Sequence, residues 1–158
     1  MLFTRLGIEE KKKEILSREK TEILDDKIIS LDFSNLGIET IPMGVFDEYS
    51  DLIYLDLSDN EIYDFSASTF KYLENLTYLN LSGNKLRRLN SGIFRGLSKL
   101  RILKFSDNEI EHLDHDIFDD IEHLDVLDLS NNDLESLPDS LEELDVDEFN
   151  ISQNPLKF

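Results

Sequence analysis

The residues of this 158-residue chain that could do chemistry crowd between positions 112 and 123. His112-Leu-Asp114-His115-Asp116 is followed by Asp119, Asp120 and His123. Histidine and carboxylate are the ligand types of zinc sites. The repeat described below spreads these side chains over an exposed loop and a return path, facing several ways. No second histidine follows four residues along a helix, so they read as solvated polar groups, and no metal or other cofactor is expected. Paired carboxylates such as Asp25-Asp26 recur throughout so acidic a chain and carry no acid–base signal. The serines have no histidine at a matching register to activate them. No glycine-rich phosphate loop occurs. The chain therefore reads as a non-enzyme. Asn75-Leu-Thr77, Asn80-Leu-Ser82 and Asn150-Ile-Ser152 fit the glycosylation sequon, but the last two arise wherever asparagine precedes the Leu/Ile-Ser of the repeat.

What must position any functional residue is a repeat. Leu76-Thr-Tyr-Leu79-Asn-Leu81-Ser-Gly-Asn84-Lys-Leu86 recurs 24 residues upstream as Leu52, Leu55, Leu57, Asn60, Ile62. It recurs downstream as Leu100, Leu103, Phe105, Asn108, Ile110 and as Leu124, Leu127, Leu129, Asn132, Leu134. The first copy (Ile28, Leu31, Phe33, Ile38) has Leu36 at the asparagine position, and the last (Val146, Phe149, Ile151, Asn154, Leu156) follows a shortened unit. Phe46, Phe70, Phe94 and Phe118 add a second periodic position. A fixed period of this length signals a solenoid in which each unit buries its apolar face on its neighbours.

In the leucine run the close-spaced apolar residues alternate, which is the period of a strand. One short strand per repeat, always in the same direction, stacks as a parallel sheet. The asparagines at 60, 84, 108, 132 and 154 turn inward, where an amide with two donors and two acceptor sites can bind loop backbone of its own and the next turn. Leu36 is tolerable where no preceding turn needs bridging. The phenylalanines fill the wider space on the opposite side.

Residues 1–27 lack the repeat and are charge-rich. Ile8, Ile15, Leu16, Ile23 and Leu24 fit one short amphipathic helix over roughly residues 8–20, laid on the open end of the first repeat. A solvated leader fits the same residues. Residues 28–158 form the repeat domain, with units starting near 28, 52, 76, 100, 124 and 146.

Composition narrows the partners. The net charge is −19, which argues against nucleic acid and anionic membrane. No segment approaches the roughly 18 apolar residues of a membrane span. The chain has no cysteine, and its N-terminus has no apolar run of the signal-peptide type. These features point to the cytoplasm, or to an extracellular setting if a leader or caps lie outside this sequence.

Outward strand positions form three columns. The first is Ser30, Tyr54, Tyr78, Ile102, Val126, Glu148; the second Asp32, Asp56, Asn80, Lys104, Asp128, Asn150; the third is serine at 34, 58, 82, 106, 130 and 152. The serines read as structural. The first column reads as an exposed apolar strip of the kind that marks interfaces, although aromatic and β-branched residues also simply suit strands. Between Asn75 and Ser106 there is no acid, while Lys85, Arg87, Arg88, Arg95, Lys99, Arg101 and Lys104 all fall there. They read as a basic band, or as a chance run of solvated charges.

The units resemble the 24-residue "typical" leucine-rich repeats, over about residues 28–158. Pro42-Met-Gly-Val-Phe46-Asp is similar to an element of vertebrate extracellular repeats such as the variable lymphocyte receptors. Phe33 and Phe158 stand where that family's terminal caps carry cysteine. The resemblance implies an α/β solenoid: a right-handed curved superhelix of about six repeats, with a parallel concave sheet and a mostly irregular convex side. It also implies a non-catalytic module that binds a protein partner on the concave face. The contact residues expected are Tyr54, Asp56, Tyr78, Asn80, Ile102, Lys104, Val126, Asp128, Glu148 and Asn150. The alternatives are a structural, self-associating protein joined through its open last repeat, or a fragment of a larger receptor.

Overall fold

The computed structural model describes residues 1–158. Two short helices open the chain, α1 (Leu2–Arg5) and α2 (Lys12–Leu16), with a 3₁₀ turn over Glu9–Lys11 between them. Strands β1 (Glu22–Leu24) and β2 (Lys27–Asp32) form an antiparallel hairpin. Its tip is Asp25-Asp26, both at positive φ, as a two-residue hairpin turn requires.

One strand per repeat then follows: β4 (Tyr54–Asp56), β6 (Tyr78–Asn80), β8 (Ile102–Lys104), β10 (His123–Asp128) and β11 (Asp145–Asn150). The main sheet runs β1-β2-β4-β6-β8-β10-β11 and is parallel from β2 onward. The far side of each turn is irregular. It holds two two-stranded pieces, β3 (Thr40–Ile41) with β5 (Asp64–Phe65) and β7 (Arg88–Leu89) with β9 (His112–Leu113), and a 3₁₀ turn over Asp139–Leu141.

Between the two sides lies a single core. Leu31, Leu55, Leu79, Leu103 and Leu127 are fully buried, one per strand. On the convex side Phe46 stacks on Phe70 (6.1 Å between ring centroids) and Phe94 on Phe118 (5.9 Å).

The asparagines bind backward. Asn84 Nδ2 donates to the Leu57 carbonyl of the preceding turn (3.0 Å) and to Leu81 of its own (2.9 Å), while its Oδ1 accepts from the Ile62 amide (3.0 Å). Asn60, Asn108, Asn132 and Asn154 repeat this reach to Phe33, Leu81, Phe105 and Leu129. The partner turn is the preceding one, not the next, and this accounts for Leu36: its amide is a donor to Asn60 (2.9 Å), so the first turn is bridged from above.

The N-terminal segment differs from the single helix expected over 8–20. Helical structure is confined to the short pieces named, and Gly7, at positive φ, separates α1 from the 3₁₀ turn. Residues 22–24 add a strand that the spacing of apolar residues did not reveal. Leu2, Phe3, Leu6, Ile8 and Ile15 join the core. Phe3 meets Phe33 edge to face at 5.7 Å. Arg18 fastens the segment, donating to the carbonyls of Asp32 (3.1 Å) and Ser34 (2.7 Å) and pairing with Glu14 (2.8 Å).

Candidate binding face

The strand register lines up the outward residues. Ser30, Tyr54, Tyr78, Ile102, Val126 and Glu148 are cross-strand neighbours in succession, and so are Asp32, Asp56, Asn80, Lys104, Asp128 and Asn150.

In the first column the Tyr54 and Tyr78 rings stack, with centroids 4.2 Å apart and planes 13° apart. Ile102 and Val126 continue the row, and all four are half-buried. Beside them Ile53, at 44% exposure, extends the apolar surface toward the edge of the sheet. The Tyr54 hydroxyl donates to Asp56 Oδ2 (3.3 Å), and Asn80 Nδ2 donates to the Tyr78 hydroxyl (3.3 Å). Burial, then the negative charge of Asp56 and the neighbouring Tyr78, push the Tyr54 phenol well above its ordinary value. The two rings are therefore held in place before anything binds.

The second column does a different job from the one its sequence suggested. Asp56 is only 6% exposed. Its Oδ1 accepts from the amide and hydroxyl of Ser58, at 2.9 and 2.6 Å. Asp32 serves Ser34, and Asp128 serves Ser130, in the same way. Asn80 accepts from the Ser82 amide and Asn150 from Ser152. This side-chain-to-backbone turn is the local hydrogen bond that Asp and Asn make two residues ahead. The pattern Asp/Asn-x-Ser was the available signal. Because these side chains are engaged with the turn, Asp56, Asn80, Asp128 and Asn150 offer less to a partner than expected.

Lys104 is the exception in that column. It cannot accept, so Ser106 instead turns its hydroxyl to Ser82 (3.0 Å). The Lys104 ammonium lies over the Tyr78 ring, 5.9 Å from its centroid.

The basic band is partly neutralised in space. Lys85 pairs with Glu61, Arg87 with Glu109 (2.9 Å) and Arg95, loosely, with Asp120 (3.9 Å). Each acid belongs to a neighbouring turn, so a window without acids in the sequence is not one in the fold. Those acids raise the Lys85 and Arg87 values further. Lys99 donates to Asn75 (2.7 Å) and Arg101 to the Leu100 carbonyl (2.8 Å), while Arg88 is exposed.

The histidines separate. His112 pairs with Asp114 (3.1 Å), whose carboxyl is held below its usual range chiefly by the Ser91 amide. His123 is not on a return path but opens β10, beside Asp145 of β11. No helix is long and apolar enough to cross a membrane.

The family model described as "Leucine rich repeat" matches residues 27–86, 60–110, 82–134 and 104–156. No curated protein matches the chain. Among solved structures it is similar to the Toll–Spatzle complex of Drosophila, at 28% identity and a TM-score of 0.64 over 70% of this chain. It is also similar to the ectodomain of the Arabidopsis receptor kinase HAESA in complex with a peptide hormone ligand (23%, TM-score 0.71, 90% of this chain). A third is the ectodomain of the receptor kinase SOBIR1 from Arabidopsis thaliana (21%, TM-score 0.67, 98% of this chain and 89% of that one). The chain spans 15% and 25% of the first two structures' own length.

Proposed function

Since the chain belongs to the leucine-rich repeat family, we propose that it is a non-catalytic interaction module that takes a protein partner on its concave sheet. The observation that carries this is the stacked Tyr54–Tyr78 pair, continued by half-buried Ile102 and Val126 and flanked by Lys104. Tyrosine is enriched at interface hot spots, and rings already fixed lose little further freedom on binding. Lys104 supports the reading, because it forgoes the turn hydrogen bond made at the other positions of its column, and departures of this kind are expected at functional or strained sites. The Toll–Spatzle likeness adds that a related solenoid works in a complex. The contact set we propose centres on Tyr54, Tyr78, Ile102, Lys104 and Val126. Asp56, Asn80, Asp128, Glu148 and Asn150 form its border.

A photo-crosslinking residue placed at position 78 should capture the partner, and the same residue at exposed Tyr63 on the other side should not. Capture from position 63 alone would move the interface to the convex side.

A second reading, self-association, is favoured by Phe149. It is 42% exposed, whereas its strand neighbour Leu127 is fully buried. The outer edge of β11 is unpaired, and such an edge can template pairing with another chain. Sedimentation over a range of concentrations tests it: a strict monomer throughout the micromolar range removes this reading. The lack of cysteine supports a reducing, cytoplasmic setting, which cell fractionation tests.

A further inference from the structure

The last two strands assemble a side-chain cluster found nowhere else in the sheet. His123 and Asp125 lie on β10, and Asp145 and Asp147 on β11, with His123 directly beside Asp145. His123 Nδ1 is 2.9 Å from Asp145 Oδ2, and its Nε2 is 3.0 Å from Asp125 Oδ1 and 3.7 Å from Asp147 Oδ2. The ligand atoms of His123, Asp125 and Asp147 all lie within 4.8 Å of one another. The equivalent positions in earlier repeats hold different chemistry. The His123 position carries Lys27, Asp51, Asn75 and Lys99, and the Asp125 position carries Ile29, Ile53, Thr77 and Arg101.

We propose that His123, Asp125 and Asp147 form a binding site for a divalent transition-metal ion of the zinc class, with Asp145 orienting the imidazole. Zinc binds nitrogen and carboxylate oxygen at about 2.0–2.2 Å in a tetrahedron, which sets neighbouring ligand atoms roughly 3.3 Å apart. The Nε2-to-oxygen distances of 3.0 and 3.7 Å bracket that spacing. Without an ion both ring nitrogens serve as donors, Nδ1 to Asp145 and Nε2 to Asp125; a metal would displace the Nε2 proton and leave Nδ1–H on Asp145. This is the carboxylate–histidine arrangement that fixes tautomer and ring orientation in metal sites. The carboxylates of Asp125, Asp145 and Asp147 have no hydrogen-bond partner other than this one imidazole. A cation relieves their mutual repulsion. An imidazole ligand favours zinc and its first-row neighbours over calcium or magnesium, which take oxygen. The fourth position, open to solvent, takes water. Because its ligands come from two strands, the ion would clamp β11 to β10.

The test is calorimetric titration of the metal-free full chain with Zn²⁺ at neutral pH, repeated with Co²⁺ to read tetrahedral geometry from its visible absorption. The expected result is one ion per chain. Binding should be lost in His123→Gln and kept in a His112→Gln/His115→Gln control. Asp145→Asn should keep the stoichiometry but weaken affinity by about 10–100-fold, the usual effect of removing an orienting carboxylate. If His123→Gln does not fold by circular dichroism, Asp147→Asn, on an exposed side chain, serves as the ligand-removing variant and should lose binding. No saturable uptake by the wild type overturns the proposal. So does equal uptake by the wild type and the ligand-removing variant, which would mean diffuse attraction to an acidic surface.

Discussion

The Tyr54 ring lies on the Tyr78 ring, 4.2 Å from centroid to centroid and nearly parallel. The two residues occupy the same position in successive repeats, so the stack follows directly from the solenoid. Strands that pair in parallel at one register put identical residues side by side, and aromatic cross-strand pairs contribute roughly 0.2–1 kcal/mol relative to alanine.

The stack has a pH signature. Burial and the Asp56 charge raise the Tyr54 phenol above its ordinary value of 10.0. The folded state therefore prefers the neutral phenol. That contribution is complete below the unfolded value of about 10 and is lost as pH rises toward the folded one. In a spectrophotometric titration at 295 nm, Tyr54 should ionise late, and Tyr54→Phe should remove a late-titrating phenol.

Asn84→Leu should be among the most damaging single changes in the chain. It strips an acceptor from the Ile62 amide and a donor from the Leu57 and Leu81 carbonyls, all buried. A loss of at least about 3 kcal/mol follows from several unpaired groups. Asn154→Leu should cost less, because Asn154 is half-buried and water can replace it. Urea melts of the two variants give the comparison.

Thr69→Val should stabilise the protein. The Thr69 side chain is 1% exposed and its hydroxyl has no partner. The equivalent positions hold Val45, Ile93 and Ile117. Relief of an unsatisfied buried hydroxyl is worth about 1 kcal/mol or more, readable as a higher Tm by calorimetry.

Lys104→Asn should separate stability from binding. Asparagine there can accept from the Ser106 amide as Asn80 does from Ser82 (3.0 Å). A gain of about 0.5–1.5 kcal/mol in stability follows, together with weaker partner capture. Unchanged capture would remove Lys104 from the contact set.

The repeat register made most of this legible. Spacing of 24 residues predicts that Tyr54 meets Tyr78 and that Asn84 lies over the turn before it. The same offset places Lys85 beside Glu61, so that pair is legible across turns although not along the chain. The Asp/Asn-x-Ser turns were visible as a column, but only hydrogen-bond geometry tells a side chain serving its own backbone from one awaiting a partner. His123 met Asp145 through the shortened unit, an offset of 22 rather than 24. The N-terminal segment has no period at all. Its packing rests on single contacts, Phe3 on Phe33 and Arg18 on the Asp32 and Ser34 carbonyls, which spacing does not encode.

The most direct measurement is quantitative partner capture by Tyr54→Ala/Tyr78→Ala beside wild type and an Arg87→Ala/Arg88→Ala control, all verified as folded by circular dichroism. The concave-face account predicts that the tyrosine variant loses at least about tenfold in affinity, as truncation of hot-spot residues does, while the arginine control binds like wild type. Undiminished capture by the tyrosine variant would contradict it.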